Sequence, residues 1–296
     1  MNGFGTLYLV STPIGNMEDI TLRAIRVMKE VDMIAAEDTR QTVKLLNRYD
    51  IKTHMTSYHE HNARTKGEFI VNALKEGKNI ALVSDAGTPG ISDPGEDIAI
   101  RAIKEGITVT PVPGASAVLP ALLLSGFTTD RFVFEGFLSK KKSDKKKAIE
   151  ALTNEIRTVV IYESPHKLFE TLQMFAEKFP ERNISVIREM TKKFEQIWSG
   201  TVKEAVAKYS VESRRGEYVI VLEGVDEKEL KNRGFREWDG ITYEEQYRSY
   251  LKQGLEKKEA MRKIAESRGV SKREIYRIIN LDKGMNFNKG SNDSDV

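Results

Sequence analysis

The chain has 296 residues, 31% charged and 40% hydrophobic, a balance that fits a globular protein with a sizeable core and room for two or three domains. It contains no cysteine, which excludes disulfides and thiolate–zinc sites and accords with a reducing, cytoplasmic setting. The net charge is only +3, but residues 1–130 carry 13 Lys and Arg against 16 Asp and Glu, whereas residues 246–278 carry 10 against 4.

The first apolar run, Leu7-Tyr-Leu-Val10, is too short for a signal-peptide core or a membrane span. From there to residue 124 strand-like and helix-like stretches alternate. The strands are expected at 6–12, 33–37, 53–59, 79–85 and 108–113, and the helices at 21–30, 40–47, 62–76, 95–105 and 115–124. Such alternation implies a mostly parallel sheet covered on both faces, with ligands beyond the carboxyl ends of its strands.

Ser125-Gly-Phe-Thr-Thr-Asp130 reads as a linker into a second α/β segment. Strands are expected there at 132–138, 158–163, 184–190, 194–200 and 217–223, with helices at 144–154, 165–179 and 202–210. Only Thr191-Lys192-Lys193 separates 190 from 194, so the later strands should pair antiparallel. Residues 242–280 turn all-helical: Thr242-x-x-Glu245 and Ser271-x-x-Glu274 fit capping boxes, and Gly254 and Gly269 sit where helices should stop. The turn around Gly269 gives this segment either a helix-turn-helix or a plain three-helix cap. The resulting division is 1–125, 126–225, 240–282 and a disordered tail over 283–296.

Three loops fall at predicted strand carboxyl ends: Ser11-Thr-Pro-Ile-Gly-Asn16, Val83-Ser-Asp-Ala-Gly-Thr-Pro-Gly-Ile-Ser-Asp-Pro-Gly95 and Val112-Pro-Gly-Ala-Ser116. Together they could wall one pocket. No loop ends in Gly-Lys-Ser/Thr, and residues 87–95 space their glycines differently from a dinucleotide fingerprint, so ATP, GTP and NAD are disfavoured. An aspartate-bearing loop without lysine suits a ligand with a cationic centre and a ribose. Asp93-Pro94-Gly95-Glu96 has the pattern of a helix start, so Asp93 is read as a cap. Asp85, ending an apolar strand, is read as the ligand contact.

Two further patterns carry alternatives. Lys140-Lys-Lys-Ser-Asp-Lys-Lys-Lys147 is either a grip for a polyanion or a solvated linker. His59-Glu60-His61 could converge two ligands on one strand face, but without a third ligand in sight it is read as RNA contact or structural hydrogen bonding, and no metal is expected.

The three loops in this order resemble the S-adenosylmethionine pocket of the tetrapyrrole methylase superfamily, and most of all its ribosomal-RNA-modifying branch. The likeness extends over Leu7–Ala24, Ala36-Glu-Asp-Thr-Arg40, Ser57-Tyr-His-Glu-His-Asn62, Val83–Gly95, Pro111–Ser116, Tyr162-Glu-Ser-Pro-His-Lys167, Arg188-Glu-Met-Thr-Lys192 and Gly216–Gly224. The first two loops depart from the glycine-richer and Gly-Asp-Pro forms of the porphyrin enzymes and follow the RNA branch.

The resemblance implies two α/β domains of the class III methyltransferase kind with S-adenosyl-L-methionine in the cleft between them, a small C-terminal helical domain, and a homodimer. It implies methyl transfer to the ribose 2′-hydroxyl of a cytidine in the decoding region of 16S rRNA, probed as naked RNA or within the small ribosomal subunit. Cofactor contacts carried over are Pro13, Ile14, Gly15, Asp85, Ala86, Gly87, Thr88, Ile91, Ala115, Ser116 and Tyr162. A general base would assist attack by a weakly acidic hydroxyl. Glu37, with Asp38 beside it and Arg40 to hold a phosphate, and Glu163, with His166, are the candidates. Glu37 and Glu163 have helix-capping alternatives. Two other readings stay open: C-methylation of a tetrapyrrole precursor, and a nucleic-acid-binding regulator that uses the C-terminal helices.

Overall fold

The structure, a computed structural model, describes residues 3–212, 214–227, 230 and 240–285, with side chains as far as Ile279 in the last helix. Its contacts divide the chain into two compact units, Met1–Gly224 and Val225–Val296.

The first unit contains two five-stranded sheets. In the first, β1 (Thr6–Val10), β2 (Met33–Ala36), β3 (Met55–Ser57), β4 (Ile80–Val83) and β5 (Thr108–Val112) run all parallel in the order β3-β2-β4-β1-β5. The helices between them are α1 (Leu22–Glu30), α2 (Thr39–Arg48), α3 (Ala63–Lys75) and α4 (Glu96–Lys104). β2 and β4 are buried at every position, as strands covered on both faces must be. One face carries Leu7, Ile70, Leu74, Ile80 and Leu82; the other carries Val10, Met28, Ile34, Leu46 and Val83.

The second sheet joins β6 (Phe132–Phe137), β7 (Thr158–Glu163), β8 (Asn183–Arg188), β9 (Gln196–Thr201) and β10 (Tyr218–Leu222) in the order β6-β7-β10-β8-β9. Only β6 and β7 are parallel; β10 runs antiparallel to both β7 and β8, and β9 antiparallel to β8. Period-two alternation divides its residues. Val159, Ile161, Ile184, Val186, Ile220 and Leu222 face α6 (Lys142–Leu152), α7 (Leu168–Ala176) and α8 (Val202–Val211). Val160, Ile187, Val219 and Val221 face the other way, against Val118, Ala121 and Leu122 of α5 (Val118–Leu124). The helix that follows the first sheet therefore packs on the second, and this makes 1–224 one compact unit.

The strands and helices stand where the alternation puts them, with differences at the ends. The predicted strand at 53–59 shrinks to Met55–Ser57, because His59 already opens a 3-10 turn at Glu60–Asn62 whose Asn62 carboxamide accepts from the His59 N–H at 2.9 Å. The predicted helix at 165–179 begins at Leu168, after a turn closed by the Ser164 carbonyl. The reading of Asp93 as a cap is corrected. The N-cap is Gly95 with φ 132°, and no side chain caps that helix. A Cβ there would lie 2.7 Å from Leu82 Cδ2, so only glycine fits the turn.

The lysine run is also not uniformly solvated. Lys145 is 4% exposed; its ammonium donates to Thr171 Oγ1 at 2.7 Å and lies 3.8 Å from Glu163. Lys140, Lys141, Lys142, Lys146 and Lys147 are exposed.

In the second unit, helices Tyr243–Lys252, Lys257–Arg268 and Lys272–Met285 enclose Tyr247, Ala260, Ile264, Ala265, Ile275 and Ile279. The Thr242–Glu245 capping box forms, and Gly269 ends the second helix in the left-handed conformation at φ 62°. The last helix reaches Met285, so 283–285 are helical rather than tail; the remainder of the predicted tail lies outside the described residues.

Candidate functional site

All strands of the first sheet run parallel, so the loops after β1, β2, β4 and β5 gather at one end. Thr12 and Gly87 exchange backbone hydrogen bonds at 2.9 and 3.0 Å, the Thr12 hydroxyl donates to the Ser84 carbonyl at 3.1 Å, and the Ser11 and Thr88 hydroxyls meet at 3.0 Å. Gly114 comes so close to Ser11 that a Cβ there would lie 2.9 Å from the Ser11 Cβ. The first and second loops are thus zipped together, and the third rests on them.

Two cavities open beside these loops. The first, 320 Å³, has one wall from Ile14, Ala86, Gly87, Thr88, Ile91, Ser92, Asp93, Ser116 and Ala117. Its opposite wall is the second sheet: Phe137 of β6, Tyr162-Glu-Ser-Pro165 at the end of β7, and Glu217 with Tyr218 and Val219 at the start of β10. The second, 380 Å³, lies between Thr12–Gly15 with Met17, the α2 face Gln41–Thr42–Lys44–Leu45, Ser84-Asp-Ala86, and Lys192 with Glu217. Ile14, Ala86 and Glu217 border both.

The cofactor residues expected from sequence divide between the two. Ile14, Ala86, Gly87, Thr88, Ile91, Ser116 and Tyr162 line the first cavity. Pro13, Gly15 and Asp85 line the second, together with Ile14 and Ala86. Ala115 lines neither, although its carbonyl lies 3.9 Å from where a Gly87 side chain would begin.

The candidate bases are further apart. Glu37 and Arg40 line neither cavity. Asp38 caps α2, and its carboxylate is held by Arg40 at 2.7 and 3.0 Å, which keeps its pKa down at about 2. Glu37 approaches the Asp85 N–H at 3.4 Å, and Asp85 in turn accepts from the Asp38 N–H at 3.0 Å. Glu163 borders the first cavity but is 5% exposed. Its carboxylate accepts from the Thr171 hydroxyl at 2.5 Å and from the Ser164 N–H at 2.8 Å, with Lys145 beside it.

Several lining residues escape a reading from sequence: Ser92, Asp93, Ala117, Phe137, Ser164, Pro165 and Glu217–Val219. Phe137 and Val219 both stand opposite Tyr162 in the strand register, and Phe137 packs edge-on to Tyr162 at 5.5 Å. Pairing β7 with β6 and β10 finds them, but no local motif announces that pairing.

The electrostatics are acidic and strained toward neutrality. Burial raises the Asp93 pKa to about 7; the charges of Glu37, Asp85 and Glu217 push the same way, and a hydrogen bond with Ser84 only partly offsets them. Burial likewise raises Glu37 and Asp85 above the usual carboxylate range. Tyr162 is pushed up to about 12, by burial first and by Asp93 second. A carboxylate in an aromatic-walled cavity that resists ionisation is poised for a cation that restores its charge.

Backbone strain accompanies the site. Thr191 has φ 63° and Glu189 φ 51°, and a β-branched residue in the left-handed region costs about 1–3 kcal/mol. The strained turn presses on the first loop: the Thr191 hydroxyl accepts from Asn16 N–H at 3.1 Å, and a Cβ on Gly15 would lie 2.5 Å from Lys192 Cγ. Lys192 reaches back to Glu189 at 3.1 Å and Glu217 at 2.8 Å.

Residues 6–206 match the family Tetrapyrrole (Corrin/Porphyrin) Methylases. Curated relatives called ribosomal RNA small subunit methyltransferase I include one from Halalkalibacterium halodurans, 47% identical over 93% of this chain and 94% of its own length. Another, from Bacillus subtilis, is 48% identical over 92% and 93%. One from Thermotoga maritima is 44% identical and is covered over 99% of its length by 74% of this chain. Among solved structures, diphthine synthase superposes with a TM-score of 0.61 at 13% identity, covering 74% of this chain and 90% of that one. A cobalt precorrin-4 methyltransferase of cobalamin biosynthesis gives 0.58 at 16%, covering 74% and 94%. At these identities the two structures establish the fold alone.

Proposed function

The chain belongs to the tetrapyrrole methylase family and, within it, to the ribosomal RNA small subunit methyltransferase I group, and we propose from that premise that it methylates the ribose 2′-hydroxyl of a cytidine in the decoding region of 16S rRNA. The broader activity, S-adenosyl-L-methionine-dependent methylation of small-subunit ribosomal RNA, is that of its relatives over more than nine-tenths of the chain. A tetrapyrrole acceptor finds support only in the shared fold.

The observation that carries the reading is the first cavity. Its chemistry suits the cofactor: Ile14, Ile91, Phe137, Tyr162 and Val219 offer an apolar wall for an aromatic base. Gly87, at φ 79° and without a side chain, lets backbone amides come close to a carboxylate. Asp93, held short of full ionisation, offers a counter-charge for a cationic centre. S-adenosylmethionine bound there supplies a methyl group on a good leaving sulfonium. The chain's own part is then positioning: the zipped loops fix Ile14 and Gly87, and the β7–β10 register fixes Tyr162 and Val219 opposite them.

Deprotonation of the hydroxyl is assigned to Asp85. It borders the second cavity next to Ala86, which both cavities share, and its raised pKa suits a general base better than an ordinary carboxylate. Glu37 supports Asp85 through its backbone N–H, Arg40 is occupied with Asp38, and Glu163 with Lys145 and Thr171, so these three serve as positioning and structural groups.

Nucleoside mass spectrometry of 16S rRNA from cells lacking the gene tests the acceptor atom. Loss of one 2′-O-methylcytidine, restored by the wild-type chain and not by Asp85→Ala, is expected. An unchanged ribose-methylation profile would refute the reading.

A further inference from the structure

Apart from the shared Ile14, Ala86 and Glu217, the second cavity lies outside the cofactor site proposed above, yet it is as large as the first. We propose that it is the acceptor site, taking one unstacked nucleotide of single-stranded RNA with its phosphate at Lys44 and its ribose toward Asp85. The proposal rests on the first cavity being the cofactor site.

Three observations carry it. The first is size and lining. A volume of 380 Å³ lies within the range of about 300–1,000 Å³ of small-ligand sites, which admits a nucleotide and shuts out a base-paired helix. Its lining is more polar than that of the first cavity: Thr12, Gln41, Thr42 and Ser84 stand beside Pro13, Met17 and Leu45 where the first has its aromatic wall, and ribose and a base edge need such hydrogen-bonding groups.

The second is charge placement. Lys44 stands on α2 one turn from Gln41, to whose side-chain oxygen it donates at 2.8 Å, and is exposed with no ion-pair partner among the described residues. Arg48 follows four residues on, exposed on the same helix face. Lys44 on α2 and the carboxylate of Asp85, on the loop after β4, thus line the same cavity with opposite charges. Lys192 pairs with Glu217 at 2.8 Å and with Glu189 at 3.1 Å, which lowers the repulsion of a phosphodiester by the carboxylate bordering both cavities. A polyanion is drawn in phosphate-first from the Lys44 side, and its sugar is left facing Asp85.

The third is the strained turn. Left-handed Glu189 and Thr191 flank the turn that brings Lys192 into the cavity lining, while Thr191 clasps the Asn16 backbone. Strain kept at a cavity wall, on the Arg188–Lys192 stretch, accords with a functional rather than a purely structural turn.

The test uses full-length protein and small ribosomal subunits purified from cells lacking the gene. Lys44→Ala should weaken subunit binding and raise KM for subunits about tenfold, and Lys44→Glu more. With a labelled single-stranded RNA oligonucleotide, Lys44→Ala should flatten the plot of log affinity against log salt by about 0.7, one phosphate contact on a single strand. Calorimetric affinity for S-adenosylmethionine should stay within twofold of wild type in both variants. If Lys44→Glu leaves subunit KM and the salt slope unchanged while the cofactor binds normally, the acceptor site is wrongly assigned. If the wild type binds no S-adenosylmethionine, the function itself fails. Lys44 is exposed, so neither variant threatens folding.

Discussion

Asp93 and Asp85, eight residues apart on one loop, line different cavities. Asp93 faces the aromatic-walled cavity with a pKa near 7, and Asp85 faces the polar one. The raised pKa of Asp93 has a definite sign in pH. Protonated Asp93 favours the folded state, and that contribution is lost as pH rises from its ordinary value near 3.8 through about 7. A cationic ligand prefers the ionised form, so cofactor affinity should fall as pH drops below about 7, by up to tenfold per unit, and level off above. In Asp93→Asn the profile should be flat and affinity at pH 8 reduced about tenfold. Calorimetry across pH 5.5 to 8.5, in units about the range where the group titrates, checks this; a wild-type profile already flat through pH 6 would remove Asp93 from the cofactor's surroundings.

At the scale of elements, α6 shows how a charged run can hide a core residue. Its Lys145 ammonium, the Thr171 hydroxyl of α7 and the Glu163 carboxylate at the end of β7 form a chain of hydrogen bonds at 2.7 and 2.5 Å. That chain anchors the β7 end, where Tyr162 and Ser164 meet the first cavity. Removing one partner of a buried pair costs about 3–5 kcal/mol, because the remaining charge is stranded. Lys145→Ala should therefore lose about that much in urea denaturation, whereas Lys146→Ala, one residue on and exposed, should stay within about 0.5 kcal/mol. Equal effects would show that burial of Lys145 carries no energetic weight. The helix that begins at Gly95 gives the complementary lesson: a sequence with Asp-Pro looks like a cap, but the space beside Leu82 admits only glycine.

At the scale of the whole molecule, residues 1–224 close on themselves, since α5 of the first sheet completes the core of the second. The Thermotoga maritima relative matches over 220 residues, 99% of its own length, and so is close in size to this part. A fragment ending at Gly224 should fold cooperatively and bind S-adenosylmethionine with unchanged affinity. It should bind small ribosomal subunits more weakly at physiological salt, because residues 246–278, with 10 basic against 4 acidic side chains, are gone. Retention of full subunit affinity by the fragment would assign RNA binding to the first unit alone. No helix among the described residues is long and apolar enough to cross a membrane.

The alternation of short apolar runs with amphipathic stretches was enough to fix both α/β segments, and the motifs pointed to three loops that the structure brings together at one end of the first sheet, beside two cavities rather than one. These signals are local: each strand, cap box and glycine turn declares itself within a few positions. The fates of Asp93, Lys145, Phe137 and Val219 were settled by tertiary structure. Phe137 and Val219 reach the site only through the register of β6 and β10 on β7. Lys145 is buried only because α6 lies against Thr171 and Glu163. Asp93 lines the cavity rather than capping the next helix, whose N-cap is Gly95, in a turn where Leu82 leaves no room for a side chain. Each depends on contacts between residues far apart in the chain, which composition and periodicity do not encode.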